Sequence, residues 1–146
     1  MGAMLCREAL AGALPPGTHG CTFGGNPLAS AAALAVLAVL DDEKLVDGAR
    51  SKGEHLGRLL SQLSAKYPDL VEPERGCGLL RALPLRHGVS PAAVNGQLRE
   101  RGVLVTISGD SVLRFTPPLV VTTEQLDEGC RAVDEVLGAL SQEPRT

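Results

Sequence analysis

At 146 residues the chain is long enough for one hydrophobic core. Its residues are 44% hydrophobic but only 2% aromatic, so leucine, valine and alanine must do nearly all the filling. A formal net charge of −3 gives no electrostatic case for nucleic acid or an acidic membrane surface.

In chain order, the N-terminus lacks the basic-then-apolar layout of a secretion signal. The first informative stretch is Thr18-His19-Gly20-Cys21-Thr22-Phe23-Gly24-Gly25-Asn26-Pro27. Two adjacent glycines open conformations barred to other residues. Asn26 and Pro27 suit the N-cap and first turn of a helix. From Pro27 to Leu40 no residue is charged, so this helix is expected to be buried over most of its circumference. It is too short to span a bilayer, which needs about 20 residues. Thr22 can offer a hydroxyl and a backbone N–H to a phosphate. Turn physics alone leaves two readings of the loop, a simple chain reversal or an anion site.

Asp41 and Asp42 oppose the dipole at the end of the first helix and are expected to cap the next one. That helix is predicted from about Glu43 to Lys66. Leu45, Val46, Ala49, Leu56, Leu59, Leu60 and Leu63 form its apolar stripe. Gly48, Gly53 and Gly57 each weaken it by about 1 kcal/mol relative to alanine unless close packing compensates. Tyr67-Pro68 stops it, because the residue before proline avoids helical angles. Gly76-Cys77-Gly78 reads as a turn entering a strand from Leu79 to Leu85. Ser90-Pro91 opens a short helix to about Arg101. Two strands, Val103 to Ile107 and Val112 to Phe115, flank a Ser108-Gly109-Asp110 turn, and Pro117-Pro118 ends the second. Thr122 and Gln125 have capping-box spacing. The helix they open is expected to bury Leu126, Cys130, Val133, Val136, Leu137 and Leu140. These elements define an α/β unit, a short sheet covered by helices.

The residues with chemical potential are few. Cys6, Cys21, Cys77 and Cys130 are scattered, form no Cys-x-x-Cys, and read as reduced thiols of a cytoplasmic protein. His19 and Cys21, two apart, are weak evidence for thiol or metal chemistry against ordinary loop side chains. Gly76-Cys77-Gly78 is no dinucleotide fingerprint, since its third glycine is missing and it precedes a strand. Asp41 and Asp42 are adjacent, which suits capping rather than cleft-spanning acid–base work. Arg114 lies between apolar neighbours on a strand; such an arginine either snorkels from an edge or meets an anion with its planar fork. Lys44, Lys52 and Lys66 are the only lysines, and all sit where solvated-face lysines are the default.

The run from His19 to Pro27 resembles the His-Gly-(Ser/Thr)-Thr-(Phe/Tyr)-Gly-Gly-Asn-Pro signature of class-III, pyridoxal-phosphate-dependent aminotransferases. It is most similar to the acetylornithine/ornithine group, with Cys21 where serine or threonine is usual. Arg114-Phe115-Thr116-Pro117-Pro118-Leu119 resembles the group's Arg-Phe-x-Pro-Pro-Leu motif. Gly76-Cys77-Gly78-Leu79 resembles its glycine turn, and Met1-Gly2-Ala3-Met4-Leu5 the stretch that follows its lysine segment. The resemblance implies the C-terminal small domain of a fold-type I transferase over residues 41–146. Residues 1–40 are then a remnant of the large cofactor-binding domain with a long interdomain helix.

It also implies pyridoxal 5'-phosphate as cofactor and a homodimer whose subunits share active sites. Thr22 then binds the cofactor phosphate of the neighbouring subunit. Arg114 handles a substrate carboxylate, directly or through an ion pair with a glutamate. The implied reaction is ping-pong amino transfer between N2-acetylornithine and 2-oxoglutarate in arginine biosynthesis. Ornithine, succinylornithine and 4-aminobutyrate remain alternative substrates, the last disfavoured by the uninterrupted prolines. A Schiff-base lysine needs an apolar or cationic enclosure, and none of the three lysines has one. The expectation is therefore a C-terminal fragment, inactive alone, with no catalytic residue of its own. The rival reading is a non-catalytic module that pairs with aminotransferase subunits; the missing lysine favours it, while Thr22 and Arg114 favour the enzyme fragment.

Overall fold

The computed structural model describes Gly2 and residues 4–142. Met1 and Ala3 of the N-terminal stretch therefore lie outside the described residues, as does the end of the 41–146 segment. The chain divides into two compact units, Met1–Lys44 and Leu45–Thr146.

The first unit holds a single-turn helix α1 (Glu8–Ala11) and a sixteen-residue helix α2 (Pro27–Asp42). Asn26 caps α2 as the sequence predicts, its side chain accepting from the Ala29 N–H at 3.0 Å. Two expectations fail here. Asp41 and Asp42 are the last residues of α2 and do not cap the following helix. Lys44, two residues after them, has a left-handed φ of 50°. Both carboxylates are exposed, so solvent screens their unfavourable meeting with the helix dipole. Nor is α2 buried: it has no buried residue, and Leu28 and Leu34 are 82% and 68% exposed. An all-round apolar helix needs cover on every side, and the described residues of this chain do not supply it.

The second unit contains the core. Helix α3 (Leu45–Lys66) is followed by β1 (Arg75–Cys77), β2 (Leu80–Pro84), α4 (Pro91–Glu100), β3 (Thr106–Ser108), β4 (Val112–Phe115) and α5 (Thr123–Gln142). The four strands form one antiparallel sheet in the order β1-β2-β4-β3. Two hairpins are thus joined through their β2 and β4 strands, with α4 crossing between them. Leu83 and Leu113 face each other on the covered side, with Phe115 beside them, and all three are buried. Against that side pack Leu56, Leu60 and Leu63 of α3, Val94 and Leu98 of α4, and the buried stripe of α5. Aliphatic residues fill the core almost alone, as the scarcity of aromatics requires.

Strand β1 was not expected. Gly76 and Cys77 belong to it, and only Gly78 and Leu79 form the turn to β2. One glycine inside the strand and another just after it hide β1 from any propensity argument, yet here they permit close approach. A Cβ on Gly53 of α3 would stand 2.2 Å from the Gly78 carbonyl carbon. A Cβ on Gly57 would stand 2.9 Å from the Arg81 guanidinium. The glycines that weaken α3 are the ones that let it lie against the hairpin. Residues 103–105 lie outside the sheet, so the strand expected from Val103 begins only at Thr106, and Val46 of the anticipated stripe is exposed. The capping box closes in both directions: Thr122 N–H donates to Gln125 Oε1 at 3.0 Å and Gln125 N–H to Thr122 Oγ1 at 3.2 Å. Leu140 is only partly buried, whereas the other anticipated α5 residues are in the core.

Candidate functional site

The loop before α2 forms a turn over residues 22–25. The Gly24 N–H closes it onto the Cys21 carbonyl at 3.1 Å, and Gly25 takes the left-handed φ of 67° needed to redirect the chain. The Asn26 amide donates to the Phe23 carbonyl at 2.7 Å while its oxygen caps the helix. Asn26 therefore locks turn and helix into one piece. Thr22 is exposed on that piece, and its hydroxyl has no partner among the described residues. A free hydroxyl on a rigid turn at the positive end of a sixteen-residue helix fits a phosphate. Cys21 is exposed beside it, with a thiol that is a weaker donor than the usual hydroxyl.

Arg114 lies in β4, opposite Ala82 of β2 and Thr106 of β3. Its alternation with Leu113 and Phe115 puts it on the uncovered side of the sheet, where it is exposed. Its Nε donates to Thr106 Oγ1 at 3.0 Å, and it has no carboxylate partner among the described residues. The Thr106 bond steers the guanidinium by one nitrogen and leaves the rest of its fork open. Arg81, on the covered side, is the contrast. Its Nη1 pairs with Glu74 Oε2 at 3.3 Å and its Nε donates to the Gly78 carbonyl at 3.1 Å. Thr22 belongs to the first unit and Arg114 to the second.

None of the lysines has an enclosed, apolar setting. Lys44 is exposed. Lys52 donates to the Leu119 carbonyl at 2.5 Å. Lys66 is held by Asp134 at 2.7 Å, and that hydrogen bond raises its pKa. Lys52 and Lys66 each hold a partner at the surface, Leu119 and Asp134 respectively. No group of three or more metal-ligating side chains occurs among the described residues, and no helix is long and apolar enough to cross a membrane. Sequence reasoning passed over Arg75, the first residue of the hidden strand β1.

The second unit, an antiparallel sheet with helices on one side, is of α/β type and is shared with pyridoxal-phosphate aminotransferases of known structure. The ornithine aminotransferase of Toxoplasma gondii, crystallised with partial pyridoxal-phosphate occupancy at its active site, matches with a TM-score of 0.79 and 40% identity. That match covers 88% of this chain and 31% of the other. The class-III aminotransferase family model matches residues 1–137, and the chain belongs to that family. It is 44% identical to the acetylornithine aminotransferase of Myxococcus xanthus over 128 residues, 87% of this chain and 31% of the relative. It is also 44% identical to the ornithine aminotransferase of Bordetella pertussis over 136 residues, 92% of this chain and 32% of the relative. The chain thus spans about a third of the length of the relatives it matches.

Proposed function

We propose that the full polypeptide carrying this segment is a cytoplasmic, homodimeric aminotransferase of arginine biosynthesis. It exchanges an amino group between N2-acetylornithine and 2-oxoglutarate with pyridoxal phosphate. One observation carries the reading: Arg114, at the motif position, is steered by a threonine and left without a carboxylate. An arginine that folding does not neutralise is available to a substrate carboxylate, which its fork binds bidentately. When bound, the cofactor supplies an electron sink for chemistry at the carbon bearing the amino group. Thr22 donates its hydroxyl to the phosphate of the neighbouring subunit's cofactor, and α2 directs its positive end the same way. Arg114 orients the substrate by its carboxylate. Ornithine is the second donor to consider, because relatives bearing either name are equally similar to this chain.

The test uses the full polypeptide. Thr22→Ala removes a hydrogen bond to a charged phosphate, worth about 1.5–3 kcal/mol. Cofactor affinity should fall by roughly one to two orders of magnitude. Unchanged cofactor retention on dialysis would remove Thr22 from the site. Arg114→Lys keeps the charge and loses the fork, so substrate KM should rise sharply while the bound cofactor's absorbance stays the same. Following each half-reaction with acetylornithine and with ornithine identifies the donor. Wild-type kinetics in both half-reactions would make Arg114 structural.

A further inference from the structure

Arg114 is exposed, yet one of its nitrogens is already held from the neighbouring strand. Thr106 of β3 lies directly opposite Arg114 of β4, so the two side chains project to the same side of the sheet. Arg114 Nε donates to Thr106 Oγ1 at 3.0 Å, and Thr106 Oγ1 in turn donates to the Arg114 carbonyl at 3.4 Å. The hydroxyl proton is thus engaged on the main chain, and the oxygen presents a lone pair to Nε. Threonine suits this task because its β-branch makes χ1 stiff, so the oxygen keeps one direction. Nη1 and Nη2 have no partner among the described residues.

A guanidinium offers a carboxylate two bidentate edges, one formed by Nε with a neighbouring Nη and the other by Nη1 with Nη2. The Thr106 bond occupies the single Nε–H, so only the Nη1–Nη2 edge remains whole. An exposed arginine otherwise samples many rotamers, and ordering them on binding weakens affinity. Holding one nitrogen beforehand removes part of that loss. Water competes for both partners while the face is open, so the bond acts on orientation more than on stability. Once a substrate covers the face and displaces water, the same bond strengthens.

We infer that Thr106 is a positioning residue: it holds Arg114 by Nε and so sets the Nη1–Nη2 edge as the one that receives the substrate carboxylate. The inference rests on the proposed role of Arg114 and adds to it the direction from which the carboxylate is bound. Thr106 acts only through Arg114.

The experiment follows both half-reactions of the full holoenzyme, with N2-acetylornithine and with 2-oxoglutarate. Thr106→Val keeps a β-branched, strand-forming side chain and removes only the hydroxyl. In the half-reaction that Arg114→Met impairs, it should raise KM about 3- to 10-fold, the range for one lost hydrogen bond, with the saturated rate near wild type. Thr106→Ser, which keeps the hydroxyl, should restore the low KM. In an Arg114→Met background Thr106→Val should add nothing to the loss of kcat/KM. Unchanged KM in Thr106→Val, or an equal loss in both backgrounds, overturns the inference and leaves the Arg114 assignment standing. Thr106→Ser as impaired as Thr106→Val makes the β-branch the cause and overturns it too. Wild-type kcat/KM in Arg114→Met overturns the Arg114 assignment first, and the inference with it. In crystals of the holoenzyme with pentanoate, a non-reacting monocarboxylate, the two oxygens should meet Nη1 and Nη2. A carboxylate oxygen on Nε, with the Thr106 bond broken, overturns the inference.

Discussion

Burial in the core, and secondarily the Asp127 carboxylate, push the Cys130 thiol up to about 12. The thiol is thus neutral in the folded chain, and its folded pKa lies above its unfolded one. Its contribution to stability is complete below the unfolded value of about 8.5 and is lost as pH rises toward 12. The Lys66–Asp134–Tyr67 cluster titrates later. Hydrogen bonding to Asp134 raises Lys66 above 10.5, and burial followed by the same carboxylate raises Tyr67 above 10.0. Their contributions are complete below those values and fade beyond them. Between pH 7 and 9.5 Cys130 is therefore the main source of alkaline loss, about 1 kcal/mol. Cys130→Ala should start less stable, because it opens a cavity, but should lose about 1 kcal/mol less over that window. Urea denaturation at the two pH values measures the difference. Parallel loss in both proteins would mean that the thiol is not the group that titrates. At the acid end, pairing with Lys66 lowers Asp134, so its stabilisation persists below the usual carboxylate range and disappears as pH falls through the lowered value.

At the scale of elements, the three glycines of α3 separate into two kinds that look alike in sequence. A Cβ at Gly48 meets only the flexible end of Lys52, at 3.5 Å, whereas one at Gly53 would overlap the Gly78 backbone at 2.2 Å. Gly48→Ala should therefore stabilise the chain by about 0.5–1 kcal/mol through helix propensity and unfolded-state entropy. Gly53→Ala should destabilise it by roughly 1–3 kcal/mol, because α3 must move off the hairpin. Thermal unfolding of the two variants checks the opposite signs; equal effects would deny the close packing. The Asn26, Ser90 and Thr122 caps and the helices they open were legible because periodicity, capping boxes and prolines act within a few residues, whereas the cap expected of Asp41 and Asp42 did not form. Strand β1 was not, since Arg75-Gly76-Cys77 becomes a strand only by pairing with Leu80–Ala82. The candidate site divides the same way. Thr22 and Arg114 stand in short motifs that can be read directly, but the placement of Arg114 opposite Ala82 depends on the β2–β4 register between residues some thirty positions apart. Register is a property of the assembled sheet.

At the scale of the whole chain, the two units differ in what holds them. Among the described residues, all nineteen buried hydrophobics lie between Leu56 and Leu137. The described residues of the first unit have local turns and helical bonds but no buried side chain. A segment so held opens at little free-energy cost, whereas opening within the second unit exposes its core. The boundary at Lys44 is exposed and left-handed, a geometry that a protease can engage with little distortion. Limited trypsin digestion of the 146-residue chain should therefore cut first after Arg7 and Lys44. A product beginning at Leu45 should persist while the described arginines and lysines from α3 to α5 are protected by the fold. Mass spectrometry of the time course identifies the cuts. Early cleavage after Arg81 or Arg114, inside the sheet, would show that the second unit does not hold its core, and persistence of the bond after Lys44 would show that the first unit is held by more than its own local bonds.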